Sequence, residues 1–269
     1  MAFSIATIQK GQFIEPPRLL IYGVEGLGKT SIAAECPDPI FIFTEKGKGV
    51  LNIDSWFCKE WDQVVQCLTS LINEEHKFKT VVIDTVDWLE KLIHKHLCED
   101  ASKNNIEDFG FGKGYKRALS YWTDLLEMLT VLHEEKQMMI VLVSHSEIKT
   151  FKNPEGEDFD QYRLSVYEKT GAMLKEWADM VLFANYDNKI KGPEKGSLDK
   201  KGKAVKVHGE IGRNLHTEER AAYWAKNRYN MPPTMPIVRG QTWNNIEAAI
   251  EAGIESQVRK VKELQERNS

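Results

Sequence analysis

Eight residues, Gly23-Val24-Glu25-Gly26-Leu27-Gly28-Lys29-Thr30, satisfy the spacing G-x-x-x-x-G-K-[ST] at every fixed position. Each fixed residue has a job around an anion. The glycines let the backbone turn tightly and aim its N–H groups inward. Lys29 carries its charge on a stem that reaches the outer phosphates of a nucleotide. The Thr30 hydroxyl is a hard oxygen ligand suited to Mg²⁺. A helix opening near Lys29 adds the positive end of its dipole. Gly23, Glu25, Gly26, Leu27, Gly28, Lys29, Thr30 and Ser31 therefore form a candidate cradle for ATP.

Four further sets of residues suit the same chemistry. Val81-Val82-Ile83-Asp84 is an apolar run ending in an acid, about fifty residues after the cradle, and Asp84 is the candidate partner of Thr30 in the Mg²⁺ shell. Its competing reading is a helix cap, since Asp87 and Glu90 follow. Glu45, just past Ile40-Phe41-Ile42-Phe43, is placed to activate or orient a water beside the terminal phosphate; the alternative is a surface Glu near Lys46 and Lys48. Ser144-His145 ends the apolar run from Met138 and is a polar pair able to sense that phosphate and report it to the next loop. Lys226-Asn227-Arg228 sets two cations one residue apart, pointing the same way on a strand. That pair could stabilise phosphate charge, including charge held by a neighbouring subunit. On spacing alone it reads equally as a basic turn before Met231-Pro232.

These residues need elements to position them. Arg18-Leu19-Leu20-Ile21-Tyr22 reads as a buried strand and Thr30 to Glu35 as a helix start, so the cradle has the strand–loop–helix context it requires. Strands are expected at 40–43, 80–84, 138–143, 162–167 and 180–184. Helices are expected at 61–72, 86–99, 115–135 and 169–178, with 101–114 and 146–160 as loops. Alternating strands and helices imply an α/β fold with a mostly parallel, twisted sheet covered on both faces. We divide the chain into an N-terminal arm (1–17), an ATPase-like core (18–233) and a C-terminal helical extension (234–269), whose last helix spans 242–267.

The bulk numbers set the outer limits. At 269 residues and 42 % hydrophobic the chain suits one large α/β domain with a small appendage. A net charge of −4 and a pI of about 6.0 do not mark a nucleic-acid binder, although local patches can still bind one. The four cysteines lack C-x-x-C spacing and read as small apolar residues in a reducing cytoplasm. No stretch has the length of a membrane span, and no secretion signal opens the chain.

Together the motifs resemble those of RecA-type P-loop ATPases. The cradle, with Glu25 at its third position, resembles the RecA P-loop. Phe41-Ile42-Phe43-Thr44-Glu45 resembles the strand that delivers the catalytic glutamate, and Val81-Val82-Ile83-Asp84-Thr85 the Mg²⁺-binding strand. Val141-Leu142-Val143-Ser144-His145 sits where the family carries a sensor pair, usually ending in Gln. Ala225-Lys226-Asn227-Arg228 resembles the Lys-x-Arg finger that RecA-like motors insert into an adjacent subunit's site. Gly110-Phe111-Gly112-Lys113-Gly114-Tyr115 and Ala178-Asp179-Met180-Val181 narrow the resemblance to phage ATPases of the Sak type, linked to single-strand annealing and recombination. Phe3-Ser4-Ile5-Ala6 resembles a short Phe-x-x-Ala assembly motif.

The resemblance implies a RecA-like fold, ATP and Mg²⁺ as cofactors, and rings or filaments with composite ATP sites. It also implies single-stranded DNA, and a single-strand-binding protein, as partners in a bacterial host cytoplasm. By analogy, two loops would face the DNA. The first, 101–117, carries Lys103, Phe111, Lys113, Tyr115, Lys116 and Arg117, cations for phosphates and aromatics for base stacking. The second, 146–161, carries Lys149 and Lys152. The stretch 189–206 adds seven lysines against Glu194 and Asp199 and reads as either a phosphate-tracking segment or a solvated hairpin tip. The leading expectation is a DNA-stimulated ATPase promoting annealing or strand exchange. The alternative is a nucleotide-switched mediator or helicase-loader module acting through a protein partner. A small-metabolite kinase fits less well, because no Arg-rich lid is evident.

Overall fold

In a computed structural model, residues 15–46, 51–187 and 212–267 are described. The Phe-x-x-Ala motif, Lys48 and the Lys-rich stretch 189–206 lie outside them. The chain begins with β1 (Arg18–Gly23), α1 (Lys29–Ala34) and β2 (Pro39–Phe43). It continues through β3 (Asp54–Phe57), α2 (Trp61–Asn73), β4 (Thr80–Asp84), α3 (Val86–Asp100) and α4 (Lys113–Glu134). Then come β5 (Met139–Phe151), β6 (Phe159–Leu164), α5 (Glu168–Trp177) and β7 (Met180–Tyr186). The chain closes with β8 (Arg213–His216), β9 (Lys226–Asn227), β10 (Thr234–Pro236) and α6 (Thr242–Arg267).

The strands form one sheet in the order β10-β8-β7-β1-β5-β4-β2-β3. From β7 to β3 every pairing is parallel. Of these strands, β1, β2, β4, β7 and the first half of β5 are apolar runs rather than alternating ones because both sheet faces are covered there. On one face, Val64, Leu68, Leu89, Ile93, Leu125 and Leu174 from α2 to α5 pack on Leu20, Ile83 and Leu142. On the other, Ile32 of α1 and Trp243 and Ile246 of α6 pack on Leu19, Ile21, Val82 and Val141. The expected α/β fold, with its C-terminal helix, is therefore the observed one.

The sheet departs from expectation in four places. The segment 146–160 is not a long loop: β5 runs on to Phe151 and pairs antiparallel with β6, Ser146 opposite Leu164 and Phe151 opposite Phe159. The turn signal Asn153-Pro154-Glu155-Gly156 marks only its tip. The strand expected at 162–167 accordingly begins at Phe159 and ends at Leu164. Beyond residue 187, where the pattern loosens, β8 and β9 both pair antiparallel with β7, and β10 pairs with β8. The edge strand β3 was also missed; its four residues are mostly exposed and carry no strong periodic signal.

Two glycines mark close approaches. A Cβ on Gly23 would lie 2.1 Å from the Ala184 carbonyl oxygen, so β1 and β7 come together there only without a side chain. A Cβ on Gly253 would lie 1.7 Å from the Tyr229 carbonyl oxygen. Gly253→Ala is therefore expected to lift α6 off the turn at Tyr229 and destabilise the fold by about 1–3 kcal/mol. Thermal unfolding of the variant measures this, and an unchanged Tm would contradict that packing.

Candidate nucleotide-binding site

Sheet register explains why residues far apart in sequence share one cleft. β5 lies between β1 and β4, with Gly23 level with His145 and Asp84 level with Val143. Phe43 lies level with Asp84, so Glu45 comes two residues beyond the same edge. All are at the carboxyl ends of parallel strands, where open α/β sheets bind ligands. A cleft of about 390 Å³ is lined there by Gly28, Lys29, Thr30, Glu45, Asp84 and His145, with Glu25, Gly26 and Ser31 on its rim. Leu27 is fully buried beneath the loop. Gly28 caps α1 with φ of 90°, a left-handed geometry that costs glycine nothing.

Lys29 is nearly buried, and its Nζ donates to the carbonyl oxygens of Gly23 and Val24, both at 2.9 Å. Its ammonium thus occupies the mouth of the loop. Burial lowers its pKa, and Asp84 and Asp87 pull it back up. Thr30 Oγ1 donates to Asp84 Oδ2 at 2.7 Å. Burial raises the Asp84 pKa, offset in part by that hydrogen bond and by Lys29. A hydroxyl and a buried carboxylate converging, with no ion pair at Asp84 among the described residues, fit Mg²⁺, which takes few protein oxygens and relies on substrate phosphates for the rest. Bound there, the ion would offset charge on the outer phosphates.

On the other side of Asp84 lies a network that the sequence did not reveal. Asp87, in the first turn of α3, accepts the His145 backbone N–H at 2.9 Å and meets His145 Nδ1 at 2.9 Å. Burial alone would raise the Asp87 pKa, but these hydrogen bonds outweigh it and hold it below the usual range. The Asp87 hydrogen bond in turn raises the His145 pKa. His145 Nε2 faces Glu45 Oε1 at 3.9 Å. The Glu45 pKa is raised by burial, against the pull of His145, with Asp87 and Asp84 adding repulsion. Glu45, His145 and Asp87 thus form a chain of alternating charge beside the place where a terminal phosphate would sit. Beneath it, Thr44 Oγ1 donates to the Thr85 carbonyl at 2.7 Å and accepts the Thr85 N–H at 3.0 Å, tying the ends of β2 and β4 together. In the sequence Asp87 figures only as an acid that follows Asp84, since an acid at a helix start has a local explanation.

The finger residues lie elsewhere. β9 pairs with β7 at Met180 and Val181, the amino end of the strand, away from the cleft. Lys226 Nζ donates to the carbonyl oxygens of Lys175, Glu176 and Ala178 and so caps α5. Arg228 pairs with Asp179 at 2.7 Å while staying half exposed. Asp179 also takes Arg18 in a bidentate pair, which fixes the start of β1. Within one chain, neither Lys226 nor Arg228 reaches the nucleotide cleft.

The expected DNA residues divide similarly. Phe111 is 98 % exposed, at the tip of the turn before α4. Lys103, Lys113 and Lys116 are exposed nearby, and Arg117 lies 5.2 Å over the Phe109 ring. Tyr115 is not free to stack on a base. It stacks on Tyr167 at 4.9 Å and donates its hydroxyl to Glu107. On the β5–β6 hairpin, Lys149 pairs with Glu147 and Lys152 with Asp158. Among the described residues, no helix is long and apolar enough to cross a membrane.

Comparison with known proteins finds three similarities. The chain is similar over 138 residues, at 25 % identity, to the SPbeta prophage-derived uncharacterized protein YorG of Bacillus subtilis (strain 168). That match covers 47 % of this chain and 41 % of YorG, so the chain spans less than half of that relative's length. The crystal structure of the RadB recombinase is similar with a TM-score of 0.46 at 11 % identity, covering 86 % of this chain and 91 % of that one. A family model for an AAA domain matches residues 15–229. With the P-loop and Asp84 in one cleft and most of its length matched, the chain belongs to this AAA domain family of nucleotide-binding P-loop ATPases.

Proposed function

We propose that this chain hydrolyses ATP in a manner stimulated by single-stranded DNA, and that it assembles on that DNA to promote annealing or strand exchange. The observation that carries this reading is continuity. His145, beside the candidate water-activating Glu45, is followed without a break by the outer half of β5, which carries Lys149 and ends at Phe151, one residue before Lys152. Asp87, which holds His145, lies one turn before Glu90 on α3. Glu90 accepts the Tyr167 N–H at 2.8 Å, and Tyr167 stacks on Tyr115, four residues after Phe111. The state of the terminal phosphate therefore has a packed route to both basic segments.

In this reading Lys29 and Thr30 hold the outer phosphates, Asp84 completes the Mg²⁺ shell, and Glu45 accepts a proton from the attacking water. Lys226 and Arg228 would act on a neighbouring subunit's site in a ring or filament. Arg228 is the better placed, because Lys226 is committed to α5. Phage recombination is the setting suggested by the prophage-derived relative, with a single-strand-binding protein as a further partner.

Steady-state ATP hydrolysis with and without single-stranded DNA tests the reading, with Lys29→Ala as the blank. Several-fold stimulation that disappears in Lys29→Ala is the expected result. Turnover indifferent to DNA would instead favour a nucleotide-switched module working through a protein. A groove between Pro16, Pro17 and α6, lined by Tyr229, Ile250 and Glu251, would then be its docking face. A narrower test is Phe111→Ala, which should weaken oligonucleotide binding by about 1–3 kcal/mol. Unchanged affinity in a fluorescence titration would remove Phe111 from the DNA face.

A further inference from the structure

One residue of the nucleotide cleft comes from far outside the strands that carry its chemistry. Arg239, in the short link between β10 and α6, lines the cleft together with Lys29, Thr30 and Ser31. It is exposed, and its guanidinium has no ion pair or hydrogen bond among the described residues. An unpaired guanidinium beside a phosphate cradle is suited to bidentate contact with phosphate or ribose oxygens.

The link that carries Arg239 is held on both sides. Ile237 N–H donates to the Arg213 carbonyl at 2.8 Å. Val238 N–H donates to Thr242 Oγ1, and that hydroxyl donates back to the Val238 carbonyl. The Glu35 carboxylate then accepts the N–H of Gly240 at 2.7 Å and of Trp243 at 3.0 Å. Glu35 is the C-terminal cap of α1, the helix that opens with Lys29 and Thr30. At about 1.5 Å per residue it stands roughly 9 Å along the helix from Lys29. Arg239 therefore enters the cleft from the far end of α1. It does not come from the strand ends that carry Glu45, Asp84 and His145.

We infer that Arg239 is a nucleotide-binding residue that grips the α-phosphate and ribose end of ATP, and that Glu35 is the residue that positions it. The inference rests on the cleft being a nucleotide site, as proposed above. Because ATP and ADP share that end, the contact should serve both nucleotides equally, unlike contacts to the terminal phosphate.

Calorimetric titration of the full chain with ATP and with ADP, in Mg²⁺, tests this. Arg239→Ala should raise both Kd values by a similar factor, about tenfold, and Arg239→Lys should recover part of the loss. Glu35→Gln should weaken both nucleotides in the same direction, and the double variant should be no worse than Arg239→Ala alone. Unchanged Kd values in Arg239→Ala would overturn the assignment. So would a loss confined to ATP, which would place the guanidinium at the γ-phosphate. A Glu35→Gln protein with lowered Tm but unchanged Kd would reduce Glu35 to a structural cap. Wild-type protein that binds neither nucleotide would fail the nucleotide reading itself, whereas wild-type binding with an indifferent Arg239→Ala would fail only this inference.

Discussion

Glu45→Gln is expected to slow ATP hydrolysis by about 10²–10⁴-fold while ATP remains bound. The argument is geometric first. Glu45 stands just past the end of β2, facing His145 Nε2 at 3.9 Å, in the cleft that also holds Lys29 and Asp84. Burial, with Asp84 and Asp87 nearby, raises its proton affinity, and His145 opposes this. A carboxylate poised in this way is a better proton acceptor than a solvated one. Glutamine keeps the shape and polarity but cannot take the proton. Binding depends on Lys29 and the loop amides, so the Kd for ATP should move far less than kcat. Turnover within twofold of wild type would sink the assignment of Glu45 as base.

His145→Ala is expected to lower kcat by about 10²–10³-fold, with Asp87→Asn showing a similar defect through loss of His145's partner. The two variants should differ from Glu45→Gln in their pH profiles. The Asp87 hydrogen bond raises the folded His145 pKa above its ordinary 6.5. The cation, and the stability it contributes, are therefore fully present below about 6.5 and are lost as pH rises through the raised value. The folded Asp87 pKa lies below its ordinary 3.8, so its contribution is present above 3.8 and is lost as pH falls through the lowered value. The pair is thus strongest in the mildly acidic window between. Wild-type activity should decline on the alkaline side as His145 discharges, and His145→Ala should flatten that limb. An alkaline limb that persists unchanged in His145→Ala would assign it to another group.

Much of this site was legible because its signals are local. The spacing around Gly23, Gly28, Lys29 and Thr30 is fixed by one loop. Asp84, Glu45 and His145 each end or follow a short apolar run, and parallel strands bring such ends to one edge. What escaped depends on pairing rather than spacing. Asp87 looked like a helix-start acid, because nothing in the chain near it says that His145 will land opposite. Arg239 reaches the cleft only through β10 and α6, elements whose positions depend on pairing with β8 and on Glu35. The β5–β6 hairpin read as loop because Lys149, Thr150, Asp158 and Asp160 give it a polar surface around a genuine turn. Lys226 is the converse case. Its motif suggests reach towards a neighbour, and spacing alone gives no sign that within one chain its ammonium caps α5.

The Glu35 clamp gives α1 an unusual mechanical position. A rod of six residues is too short to bend, and both of its ends are engaged. Its first turn lines the candidate nucleotide cleft and its C-cap residue holds the start of a 26-residue helix. A shift of the amino end of α6 therefore has a hydrogen-bonded path through Glu35 to the helix that opens with Lys29 and Thr30. A bulky fusion after residue 267 would behave as a load on that lever, so nucleotide affinity measured with such a fusion would report the load as well as the site. A reporter fluorophore on the outer surface of α6 would read the same linkage in the other direction, as a strain gauge for nucleotide binding.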